Sequence, residues 1–216
     1  VNDNGVAIVY GGMDANGGTL QDVVTYDPAS RATNPDFVSH TMMLKLPPIR
    51  SPKLVSAAVP AANSVYLLGL DNENPLAGVG IWQISGAFAT SGSLLVFSQL
   101  AASDPNAPSR RSDFSVVADG TAGLIYLFGG VAEPSGNYLQ DAYVFNLGSK
   151  LWTKVTAPTT PVARAGAQLA LLPPAVLLLG GMAPASYPTP VALDAWKLTT
   201  DSFTIPLLPG IFTRRL

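Results

Sequence analysis

Polar residues able to do chemistry are few in this chain, and the set that recurs most regularly is cationic. Arg50, Arg110 and Arg164 each stand two or three residues after a proline and just before an apolar stretch, and Arg214 falls in a similar setting near the last residue. Guanidiniums converging from such equivalent places suit bidentate recognition of carboxylates or phosphates. The plainer reading is that each caps a strand and pairs with a local acid, such as Asp113 beside Arg110 and Arg111. Asp22, Asp141 and Asp194 recur at one place in a repeating pattern, which assigns them to structure. His40 is the one histidine, with no second histidine, cysteine or carboxylate at ligand spacing and no Gly-x-Ser-x-Gly elbow elsewhere to complete a triad. Nothing nominates a pair of glycosidase-type carboxylates. Gly11-Gly12, Gly17-Gly18 and the later glycine pairs are followed by neither a helix nor a lysine, so they are not phosphate loops. The expectation is a protein without a catalytic constellation, a metal site or a cofactor.

Composition narrows the partners. With 48% hydrophobic residues and only 12% charged, the chain can bury a sizeable core. Its 12 basic and 14 acidic residues are scattered and form no basic stripe, which argues against nucleic acid. Without cysteine there are no disulfides, thiolate metal sites or cysteine nucleophile. The longest apolar stretch, residues 169–179, is broken by Pro173-Pro174 and falls short of the roughly 20 residues that span a bilayer. The chain starts at Val1 with no visible signal peptide, the mark of a processed form or a fragment. No Asn-x-Ser/Thr sequon occurs, while the low charge and abundant Ala, Pro, Ser and Thr lean towards a secreted or surface protein.

The elements that must position these residues come in four copies. Taking the aspartate as anchor, the copies are Asp22-Val-Val24, Gly80-Ile-Trp82, Asp141-Ala-Tyr143 and Asp194-Ala-Trp196, spaced 58, 61 and 53 residues apart. Upstream of each lies a short apolar run that ends in Gly11-Gly12, Gly69-Leu70, Gly129-Gly130 or Gly180-Gly181. The gaps from the second residue of each pair to the anchor are 10, 10, 11 and 13. Runs of four to six β-branched and aromatic residues are too short for helices and read as strands buried on both faces. The glycine pairs fit sharp turns with positive φ, and each Asp fits a brace accepting backbone hydrogen bonds across the loop. Aromatic pairs, Tyr143 with Trp152 and Trp196 with Phe203, would stack within a sheet, with Phe37 and Phe97 as weaker equivalents. After each Pro…Arg landmark comes a further Ala/Val/Leu strand, at residues 54–59, 114–118 and 167–172.

This pattern resembles the kelch repeat, strongly in the third and fourth copies and least in the second, where Leu70 and Gly80 replace a glycine and the aspartate. The resemblance covers nearly the whole chain. It implies an all-β, kelch-type β-propeller of four four-stranded antiparallel blades of roughly 50 residues each, at about 1–45, 46–100, 101–157 and 158–208. Residues 209–216 would begin a further innermost strand. Two arrangements satisfy this: an arc of a larger ring, which is favoured, or a closed four-bladed ring. Copper chemistry of the galactose-oxidase type on this fold needs a cysteine and two histidines. The iron site of kelch-type specifier proteins needs a histidine beside carboxylates such as Asp71 and Glu73. This chain offers neither set.

In kelch interaction domains, arginines at the place of Arg50, Arg110, Arg164 and Arg214 line the channel mouth and grip acidic peptides. The resemblance therefore implies a non-catalytic recognition module for a protein or peptide. The alternatives are an extracellular carbohydrate-binding or galactose-oxidase-like domain whose catalytic residues lie outside this chain, and a structural scaffold.

Overall fold

A computed structural model describes residues 7–26, 37–39, 41–42, 49–56, 64–74, 76–86, 94–101, 104–186, 194–200 and 202–204. His40 and Arg214 lie outside them. Among the described residues there is no helix, hence none long and apolar enough to cross a membrane. The chain is all-β and forms two compact units, Val1–Ser103 with Gly120–Gly123, and Asp104–Asp119 with Leu124–Leu216.

The first unit holds two sheets. In one, β1 (Ala7–Met13), β2 (Thr19–Tyr26) and β3 (Phe37–Ser39) pair in sequence order. The other is built from β5 (Ile49–Ser56), β6 (Ser64–Asp71), β7 (Val79–Ser85) and β8 (Leu94–Leu100). A two-residue strand, β4 (Thr41–Met42), adds to its outer edge parallel to β8. Tyr10 and Val23 of the first sheet pack on Ile49, Leu67, Trp82 and Phe97 of the second. The run Ser64–Leu70 is buried at every position, as expected of a strand covered on both faces. Leu67, Leu68 and Leu70, each fully buried, contribute about 2 kcal/mol apiece.

The second unit repeats the plan. One sheet orders β10 (Ser115–Asp119), β11 (Leu124–Ala132), β12 (Tyr138–Asn146) and β13 (Leu151–Val155), with β9 (Arg111–Ser112) also pairing with β11. The other orders β14 (Gln168–Leu172), β15 (Ala175–Leu179), β16 (Ala195–Leu198) and β17 (Phe203–Thr204). Tyr126, Phe128, Val144 and Val155 meet Val176, Leu178, Trp196 and Phe203 in its core. The described sheets thus carry three, five, five and four strands rather than a uniform four, and in the two five-stranded sheets β4 and β9 are short additions outside the repeat's main hydrophobic runs. Tyr143 and Trp152 meet edge to face at 6.4 Å. The ring contact of Phe203 is with Phe128 of the neighbouring sheet, at 5.7 Å, in place of the expected stack on Trp196.

The first and third glycine pairs lie opposite β-bulges. The β1–β2 register shifts between Tyr10 and Gly12, and the β11–β12 register between Phe128 and Gly130, so Gly11 faces the two residues Gln21 and Asp22 and Gly129 faces Gln140 and Asp141, the extra residue lying on β2 and β12. Gly11 and Gly129 are left-handed, at φ +64° and +61°, which glycine adopts without strain. A Cβ on Gly130, at φ +102°, would lie 2.5 Å from the Ser112 carbonyl oxygen. The second copy differs. Leu68, Gly69 and Leu70 pair with Ile81, Gly80 and Val79 with no shift, because a leucine in the second place disfavours positive φ and the strand runs straight through.

Gly130→Ala should therefore lower stability by ~2 kcal/mol or more in urea unfolding, since it combines left-handed strain with a backbone collision. Gly123→Ala, also at positive φ (+67°) but facing open space, should cost ~1 kcal/mol from strain alone.

Candidate functional site

The recurrent Arg and Asp come together in the second unit, twice, in the same geometry. Arg111 begins β9 and its side chain is fully buried. Its Nη1 donates to Asp141 Oδ1 at 2.5 Å and to the Gly129 carbonyl at 3.2 Å, and its Nη2 donates to Asp141 Oδ2 at 3.1 Å. Its Nε donates to the Ser109 carbonyl at 3.0 Å. Arg164 repeats each of these contacts. Its Nη1 donates to Asp194 Oδ1 at 2.5 Å and the Gly180 carbonyl at 3.0 Å, its Nη2 to Asp194 Oδ2 at 2.9 Å, and its Nε to the Val162 carbonyl at 3.0 Å. The aromatic two residues after each aspartate closes the cluster, through the Tyr143 hydroxyl at 3.2 Å in one and Trp196 Nε1 at 2.6 Å in the other.

The main chain of Arg164 also joins the two sheets. Its N–H donates to the Leu139 carbonyl, and its carbonyl accepts from the Gly130 N–H, both at 2.9 Å. A Cβ on Gly129 would meet that Arg164 carbonyl oxygen at 2.5 Å. The glycine pair of one copy is thus the seat on which the arginine of the next is placed, and that arginine then grips its own aspartate.

Burial pushes both carboxyl groups towards protonation, but their arginines outweigh it. Asp141 is held below the usual carboxylate range by the Arg111 hydrogen bond and charge, with Lys154 and the Tyr143 hydroxyl adding to the effect. Asp194 is held low by Arg164 and Trp196. Tyr143 is pushed up, first by burial and then by the Asp141 charge, so it stays a neutral donor.

These contacts revise the reading of the arginines. Arg164, expected at a ligand, is sealed from solvent with its guanidinium committed to Asp194 and two carbonyls. The equivalent of Arg164 is Arg111 and not Arg110, whose side chain is instead 3.4 Å from Glu133. The aspartates brace by accepting a guanidinium from 30 residues upstream rather than loop N–H groups. That constant spacing is the signal that identifies Arg111. It also pairs Arg50 with position 80, where glycine stands in place of the aspartate.

In this second copy, Trp82 is buried and its ring lies where a Cβ on Gly80 would be, while Arg50 is exposed on β5. Asp22 is exposed on β2. Among the described residues, no group of three or more His, Asp or Glu could hold a metal ion.

Paired sheets built on left-handed glycines and internal Arg–Asp–aromatic clusters define a repeat scaffold. Residues 110–159, which span one such cluster up to the strand that follows it, match the family model of the Kelch motif, so the chain carries a kelch repeat. No curated protein matches the chain.

Asp141→Ala would strand a buried guanidinium and should cost about 3–5 kcal/mol. The pH dependence has a definite sign. A carboxyl whose folded pKa is depressed stabilises above its unfolded value, about 3.9, and that stability is lost as pH falls through the folded value. Urea midpoints measured from pH 6 to pH 2 should fall steeply below about pH 4, and less steeply in Asp141→Asn/Asp194→Asn.

Proposed function

We propose that the protein is a non-catalytic recognition module that binds a protein or peptide carrying a carboxylate, with Arg50 as its principal contact. Kelch domains commonly bind proteins, and the match over residues 110–159 supports that class of function. The observation that carries the residue assignment is the difference between copies. Arg111 and Arg164 are fully buried in their clusters, whereas Arg50, 30 residues before the Gly80 that replaces the aspartate, is exposed on β5, and the ring of Trp82 fills the space at Gly80. A guanidinium at the surface can meet a carboxylate with its planar fork. Arg110, partly exposed beside Glu133, is a secondary candidate.

A peptide-display selection against the full chain tests this. Acidic peptides should be enriched and should lose at least tenfold in affinity with Arg50→Glu, while the melting temperature stays within ~2 °C, as for a surface substitution. No enrichment of acidic peptides, or none among those enriched whose affinity depends on Arg50, would overturn the assignment.

A further inference from the structure

A second recognition surface is written into the edge of β13. Trp152 lies opposite Phe145 in the β12–β13 ladder, yet its N–H donates to Asp104 Oδ2 at 2.6 Å. That N–H therefore points away from β12, and the two-residue period of a strand turns the main-chain groups of Lys154 to the same outer side. Among the described residues, β13 ends its sheet. In the first unit the corresponding outermost strand, β8, accepts an added strand, with Thr41 and Met42 pairing parallel to Leu94 and Leu95. The chain thus contains its own instance of a short extended segment adding to this edge. On β13 the Asp104 carboxylate meets the Trp152 end, and Lys154 lies further along.

Beside that half of β13 is a cleft of about 380 Å³ lined by Gln140, Asp141, Lys154, Thr156, Thr160 and Phe203. Its volume is near the lower limit for small-ligand sites and suits one or two side chains. Its charge is decided by the cluster behind it. Asp141 is neutralised by the buried Arg111, so Lys154, whose side chain is 58% exposed and 3.9 Å from Asp141 Oδ2, leaves a surplus positive charge at the mouth. Thr156, Thr160 and Gln140 add neutral hydrogen-bonding groups.

We propose that the outer edge of β13 takes up an extended peptide as an added strand, with an acidic side chain of that peptide set against Lys154 in the cleft. Main-chain hydrogen bonds along the edge supply affinity, and the cleft supplies selectivity. A lysine on an edge strand discourages indiscriminate pairing, because a neutral or basic strand would cover its charge without compensating it. The surface extends the recognition-module reading but uses none of its residues, so the two stand or fall separately.

A fluorescein-labelled Thr-Val-Thr-Glu-Val-Thr peptide titrated into the full chain tests it by anisotropy, with the Glu→Lys peptide as its partner control. The Glu peptide should bind saturably and the Lys peptide at least tenfold more weakly, with the order reversed in Lys154→Glu. Lys154→Gln, which keeps the edge and removes the charge, should abolish the discrimination, and Arg50→Glu should change nothing. Binding of neither peptide, equal binding of both, an order unchanged in Lys154→Glu, or loss of binding in Arg50→Glu would each overturn it.

Discussion

The buried guanidinium is the constraint from which the rest of the second unit follows. An arginine cannot shed its charge, so sealing Arg111 and Arg164 from water requires a carboxylate and enough carbonyl oxygens to occupy the remaining donors. Asp141 and Asp194 supply the first, and the carbonyls of Gly129 and Gly180 part of the second. In the third copy the left-handed Gly129 faces the two bulge residues Gln140 and Asp141, so bulge and ion pair are two halves of one device. Each arginine fastens the approach to a sheet, the end of its second strand and the start of its third, and Arg164 also links the neighbouring copies through its main chain.

The second copy shows the same place solved without charge. There the aspartate is absent, the β6–β7 ladder has no bulge, Leu70 is fully buried and Trp82 covers Gly80. A buried ion pair and a well-packed apolar substitute are close in energy, so a repeat can exchange one for the other without losing its sheet. What changes is the surface: Arg111 and Arg164 are internal, whereas Arg50, on the first strand of the second copy, is exposed. A contact residue, Arg50, is proposed there.

Much of this was legible in the sequence, for a definite reason. Apolar runs, glycine pairs and the Asp-x-aromatic step are short-range patterns whose physics is local, and each falls where the strands and bulges are. The partner of each aspartate was not legible because it lies 30 residues away in the chain. Two adjacent arginines, Arg110 and Arg111, made counting from the preceding proline ambiguous by one residue, and one residue separates a guanidinium sealed in the core from one beside Glu133. The added strands β4 and β9 are not legible in the sequence because two-residue pairings carry no hydrophobic period. Phe203 turned to Phe128 because packing between sheets, which no single strand records, decided its partner.

The central claim is that each recurrent Arg–Asp pair acts as one structural unit. A double-mutant cycle on Arg164→Met and Asp194→Leu, read by urea unfolding, measures this directly. The account predicts strong coupling, on the order of 2–3 kcal/mol, with the double variant more stable than Asp194→Leu alone because the stranded buried charge is gone. Additive losses, with the double variant the least stable of the set, would contradict it.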